Sequence, residues 1–136
     1  MLVGYSLLLC FWMLIGFGRT THTEYMYNLI PFETINIFLQ MDRFNPDVWI
    51  NLVGNIGVFV PFGILIPLVI KKRLFKSFIL FFSAVLVLET LQLVLRRGSF
   101  DIDDLILNSL GFFTGYGLYR IFTSWGSSRS ERKLGE

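Results

Sequence analysis

Long apolar runs alternate with short polar joints along the chain. Residues 2–18, LVGYSLLLCFWMLIGFG, are apolar throughout; at 1.5 Å per residue they reach about 25 Å, the short end of a membrane span. Residues 48–70, 77–95 and 102–125 are longer runs of the same kind, and each predicts a transmembrane helix. The joint over 19–47 is the longest and is not uniformly polar. Asn28-Leu29-Ile30-Pro31-Phe32 is an apolar knot, after which Phe32, Ile35, Phe38 and Leu39 recur at helical spacing. That pattern predicts a short interfacial or re-entrant element between the first and second helices. Residues 126–136 are mostly Ser, Gly and charge and are expected to form a disordered cytoplasmic tail. The expected fold class is thus all-α integral membrane: a four-helix transmembrane bundle over residues 1–125 with one interfacial element.

Composition agrees with the pattern. Of 136 residues, 54% are hydrophobic and the mean hydropathy is +0.61, more apolar surface than a soluble domain of this length could bury. The first run lacks a basic leader and an Ala-x-Ala site, which favours a retained helix over a cleaved signal peptide. The net charge of +2 is too small to suggest nucleic acid. Lys71, Lys72, Arg73, Lys76, Arg120, Arg129, Arg132 and Lys133 would share one side, against Arg19, Arg43, Arg96 and Arg97 on the other. The positive-inside rule then puts both termini in the cytoplasm. The outer face is acidic, with Glu24, Glu33, Asp42, Asp47, Asp101, Asp103 and Asp104. Cys10 and His22 are single, so no disulfide framework and no Cys or His metal site is expected, and no cofactor.

The polar residues inside the spans carry the candidate chemistry. Asn51 and Asn55 share a face of the second helix; Glu89, Gln92 and Arg96 form a stripe on the third; Asp101, Asp104 and Asn108 form a face of the fourth. With these boundaries they all lie within about 10 Å of the outer ends of their helices. Charge in a span is expensive, and Ala or Leu would serve structure better at Glu89. These eight residues are read as an outer-leaflet polar pocket, with Asn28, Pro31 and Phe32 at its mouth. Arg96 or Arg97, on a tight turn at Gly98, is expected to fold over Asp101 or Asp104 or down to Glu89. The plainer alternative is interhelical hydrogen-bond glue. Asp103 is read as a solvated acid at a helix start. Gly54, Gly57 and the Gly111-x-x-x-Gly115 pair are read as close helix contacts, and Pro61 and Pro67 as kinks.

These residues resemble the VanZ-like family of small bacterial membrane proteins. The similarity rests on Asn28-Leu-Ile-Pro-Phe32 with Thr34-Ile35, Asn51-x-x-Gly-Asn55, and Phe59-Val-Pro-Phe-Gly63. It continues through Glu89-x-x-Gln92, Arg96, Asp101-x-Asp-Asp104-x-x-x-Asn108-x-x-Gly111 and Gly115-Tyr116. The resemblance implies a multi-pass cell-envelope protein of the bacterial cell membrane, from a family associated with low-level resistance to teicoplanin, a lipoglycopeptide. It supplies no mechanism. Three functions stay open. The first is a non-enzymatic protein whose pocket meets membrane lipids, a lipid-linked cell-wall precursor or the lipoglycopeptide. The second is an enzyme on lipid head groups or cell-wall precursors, using Glu89 with Asp101 or Asp104 as acid and base or as Mg²⁺ ligands. The third is a structural or assembly subunit. The absence of a histidine or an activated nucleophile in the polar layer tilts the reading away from catalysis.

Overall fold

The computed structural model describes residues 1–16, 21–41, 46–71 and 73–134, with side chains omitted at 47, 48, 50 and beyond 125. Arg19, Arg43, Lys72 and the last two residues of the first expected span therefore lie outside the description. Five helices and two very short strands follow in order: α1 (Leu2–Leu14), β1 (Met26–Asn28), α2 (Glu33–Gln40), α3 (Pro46–Ile70), α4 (Leu74–Val94), β2 (Ser99–Asp101) and α5 (Ile102–Leu134). Among the described residues, two helices are long and apolar enough to cross a membrane, over Asn51–Ile70 and Leu74–Val94. Val53, Val69, Leu80, Val87 and Val94 are exposed on them. Apolar faces left open on this scale call for a partner or a lipid surround.

Burial on α4 falls on Ser77, Phe81, Val85, Glu89 and Gln92. The steps of four, four, four and three trace one stripe, so the two polar residues lie in line with the apolar core. The core itself is aromatic. Phe81 stacks on Phe112 at 4.7 Å between centroids and meets Phe59 edge-on at 5.7 Å, while Phe62 lies 5.1 Å from Tyr5. Tyr5 also donates a hydrogen bond to the Val58 carbonyl oxygen at 2.7 Å, which fixes α1 against α3.

The closest approach is between α3 and α5. A Cβ placed on Gly111 would strike the Ile56 carbonyl oxygen, one on Gly115 the Val60 carbonyl oxygen, and one on Gly63 the Phe112 carbonyl oxygen. The matching steps of four on each helix mean that α3 and α5 run parallel in backbone contact. Gly54 and Gly57, expected to serve this purpose, do not: a Cβ on either would meet nothing within 4 Å. They lie on parts of α3 that face open space, and Gly63 takes the role.

Three local features differ from expectation. Arg96, expected on the α4 stripe, instead makes a left-handed turn after α4, with φ 54°. The Arg97 amide bonds the Gln92 carbonyl and the Arg96 amide bonds the Leu93 carbonyl, each at 3.0 Å. This is a Schellman closure with a non-glycine residue in the turn position. The chain is also not purely helical, since β1 and β2 pair in parallel with Met26 opposite Ser99 and Asn28 opposite Asp101. Finally, the backbone of α5 stays helical to Leu134, past residue 126 where a disordered tail was expected; a polar helix can propagate cheaply from one already nucleated.

If backbone contact at Gly111 and Gly115 holds α3 to α5, Gly111→Val should lower unfolding stability in detergent by about 1–3 kcal/mol. Gly57→Ala should stay within about 0.5 kcal/mol of the parent. Equal effects in thermal unfolding would refute the assignment.

Candidate functional site

The candidate polar residues sort into two separate clusters. The first binds α2 to the start of α5. Asp103 is fully buried, and its carboxylate accepts hydrogen bonds from the Phe32 amide at 2.6 Å and the Ile35 amide at 3.0 Å. Those are amides at the open end of α2, so a side chain from α5 caps a helix 71 residues earlier in sequence. Phe32 is itself left-handed, with φ 66°, and no local side chain caps this end. Thr34 donates to Asp101 Oδ2 at 2.6 Å and accepts from Asn28 Nδ2 at 3.1 Å. Asn28 Oδ1 takes the Ile30 amide at 2.9 Å, and Asp101 Oδ1 takes the Asp103 amide at 2.9 Å. The strand pair carries Asn28 to Asp101, and α2 grows from that point. Leu29, Ile30 and Phe32 remain exposed beside it.

The second cluster lines a cavity of about 400 Å³ between α1, α3, α4 and α5. Its walls include Asn51, Asn55, Glu89, Gln92, Asp104 and Asn108, together with Trp12, Met13, Gly54 and Ser99. Glu89, Gln92 and Asn108 are at most 3% exposed. Asn55 Nδ2 donates to Asp104 Oδ1 at 2.6 Å, and Gln92 Nε2 donates to the Met13 carbonyl oxygen at 2.8 Å. Asn108 Oδ1 is buried with no hydrogen-bond partner, which is costly in a packed core unless something else supplies a donor.

Six of the eight residues singled out in the sequence thus share one cavity. Arg96 and Asp101 do not. Arg96 leaves the α4 stripe because the left-handed turn swings it outward; its guanidinium lies 4.4 Å from the centre of the Tyr25 ring and donates to the Thr23 carbonyl oxygen at 3.2 Å. Arg97 donates to the Leu14 carbonyl oxygen at 3.4 Å. Asp101 ends β2 before α5 begins, so it serves Thr34 and does not share a helical face with Asp104 and Asn108. Asn28, Pro31 and Phe32 do not line the cavity either. Asp103, read as a solvated helix start, is instead the cap of α2. The signal for it was present: three acids in four residues is more than one helix dipole needs. Among the described residues, no group of three or more His, Cys, Asp or Glu is placed to hold a metal ion.

The profile of the VanZ/LLP1 family matches residues 2–123. The chain belongs to the VanZ/LLP1 family. It is similar to Protein VanZ of Enterococcus faecium, with 33% identity over 96 residues, covering 68% of this chain and 51% of that protein. This VanZ/LLP1 chain therefore spans about half the length of that relative. No solved structure matches it. Family membership and the two apolar helices together indicate a membrane protein.

Removal of the Asp103 carboxylate in this VanZ/LLP1 chain should free the start of α2. For Asp103→Ala a loss of about 1–3 kcal/mol is expected, read as faster amide hydrogen exchange at Phe32 and Ile35 with α4 unchanged. Asp103→Asn keeps one acceptor and should fall between. Unaltered protection at both amides in Asp103→Ala would remove the cap from the account.

Proposed function

We propose that this protein is a four-helix bundle of the bacterial cell membrane, with α1, α3, α4 and α5 as spans and both termini in the cytoplasm. Its polar cavity would then open toward the outer leaflet and bind an amphiphile without catalysis. Through that binding the protein contributes to low-level resistance against teicoplanin-type lipoglycopeptides. The observation that carries this reading is the convergence of Asn51, Asn55, Glu89, Gln92, Asp104 and Asn108 on one cavity. Polar residues kept only as glue would saturate one another and leave no space, whereas here a cavity remains and Asn108 Oδ1 has no partner.

The topology has independent support. The Lys71–Lys76 joint carries basic residues, and the other end of the bundle carries Asp101, Asp103 and Asp104. Tyr5 and Met13 bond α3 and α4 respectively, so α1 runs alongside both at the same depth. In a Cys10→Ser background, a cysteine replacing exposed Glu24 should react with a membrane-impermeant maleimide on intact cells. One replacing exposed Lys76 should react only after permeabilisation. The reverse pattern would overturn the orientation.

The site is tested at Glu89. Glu89→Gln keeps the shape of the side chain but removes its charge and replaces one acceptor oxygen with an N–H donor. In a sensitive host, teicoplanin susceptibility should return to that of cells lacking the protein, at equal membrane abundance. Protection that survives the substitution would sink the role assigned to the cavity.

A further inference from the structure

The lining of the polar cavity is of two kinds. Asn51, Asn55, Gln92 and Asn108 bring four primary amides to it, and Ser99 adds a hydroxyl. Leu9, Trp12, Met13, Val58 and Phe59 are apolar or aromatic. Its volume of about 400 Å³ lies toward the small end of the roughly 300–1,000 Å³ usual for small-molecule sites, a scale that suits one substituted ring. No Lys, Arg or His belongs to the described lining, so an anionic group would meet no counter-charge there.

Asn108 narrows the chemistry. Its side chain is 2% exposed, and its Oδ1 has no hydrogen-bond partner. Burial of an unmatched amide oxygen is costly, and a donor from a ligand removes the cost. The neighbouring amides are matched within the protein without a basic residue, Asn55 Nδ2 by Asp104 Oδ1 and Gln92 Nε2 by the Met13 carbonyl oxygen. An amide has a donor end and an acceptor end, and a hydroxyl group is both at once. A ring with several hydroxyls can therefore serve several amides whichever way each is turned. Its C–H faces then pack on apolar neighbours such as Trp12. An ammonium group offers donors alone, and a phosphate mainly acceptors. Gly54 leaves room beside the cavity, since a Cβ there would meet nothing within 4 Å.

We propose that the polar cavity binds the sugar ring of a neutral glycoside, with a ring hydroxyl donating to Asn108 Oδ1 and Trp12 beside the ring. The assignment rests on the reading of this cavity as a ligand site and names the chemistry of its ligand. Two sources offer that chemistry: a glycolipid of the same membrane, or a glycoside arriving from outside.

The test uses the full chain in phosphatidylcholine nanodiscs, with Trp49→Phe and Trp125→Phe so that Trp12, in the cavity wall, reports binding. Octyl β-glucoside, octyl β-galactoside and octyl N-acetyl-β-glucosaminide are titrated below their micellar concentrations. The tightest of the three should bind about tenfold or more tightly than octyl phosphate or octylammonium. It should exceed octyl tetrahydropyranyl ether, which keeps the ring without its hydroxyls, by a similar factor. Gly54→Leu, which fills the chamber without touching a polar group, should abolish binding. Asn108→Leu should weaken it about tenfold or more, with a Tm no lower than the parent's, because Asn108 Oδ1 gives up no bond within the protein. Monohexosyl diacylglycerol added to the bilayer raises the apparent Kd of the octyl glycoside if the ligand is a glycolipid, and leaves it unchanged if the glycoside comes from outside. Equal or tighter binding of the phosphate, the ammonium or the ether overturns the proposal. So does the absence of a saturable response to every glycoside, as for a cavity that takes water only, or a lowered Tm in Asn108→Leu with binding unchanged. If the glycosides fail but Glu89→Gln still abolishes protection in cells, only the ligand class falls. If protection is also indifferent to Glu89, the ligand-site reading falls with it.

Discussion

Backbone contact between α3 and α5 sets the geometry of the whole polar layer. Gly63, Gly111 and Gly115 let two parallel helices touch where any side chain would hold them apart. Asn108 lies three residues before Gly111 and Asp104 seven before it, so both share the face that meets α3. With the backbones in register, Asn55 reaches Asp104 at 2.6 Å. Wider spacing would break that bond. The glycine contact and the polar layer are therefore one device: the first brings the second within hydrogen-bonding range.

A second constraint divides the acids. Asp101, Asp103 and Asp104 follow almost without interruption, yet they face different tasks because β2 ends and α5 begins among them. Asp101 still belongs to a strand, and it bonds Thr34. Asp103 sits in the first turn of α5 and points back to the exposed amides of α2. Asp104 is turned about 100° further around the helix and lines the cavity. One short acidic run thus anchors the interfacial element and furnishes the polar chamber. It also explains why α2 needs no cap of its own.

The parts visible in sequence were those with a period. Apolar runs located α3 and α4 within a few residues, and the three-to-four spacing of Asn51 and Asn55, of Glu89 and Gln92, and of Asp104 and Asn108 put each pair on a common face. Depth along each helix then brought the pairs to one layer. What stayed hidden depends on contacts between distant segments. Strands of three residues, β1 and β2, have too little length to show alternation. The pairing of Asp103 with Phe32 and Ile35 spans most of the chain and leaves no local trace beyond an excess of acid. Which glycines touch a neighbour depends on helix rotation, which a stripe of small residues does not specify; hence Gly63 and not Gly54 or Gly57. Arg96 was misplaced because it continues the α4 stripe numerically, while the helix ends two residues earlier at Val94.

The division of acids bears on how mutations should be read. Asp103 and Glu89 are both buried carboxylates, and loss of either could impair the protein in cells. Their surroundings separate the causes. Asp103 has two backbone amides as partners, so its removal exposes a helix end and acts through the placement of α2. Glu89 lines an open chamber beside an acceptor that has no donor, so its removal changes what the chamber can hold while α2 keeps its cap. A variant that weakens function while leaving the Phe32 and Ile35 amides protected therefore points to the chamber, and one that loses both points to the frame.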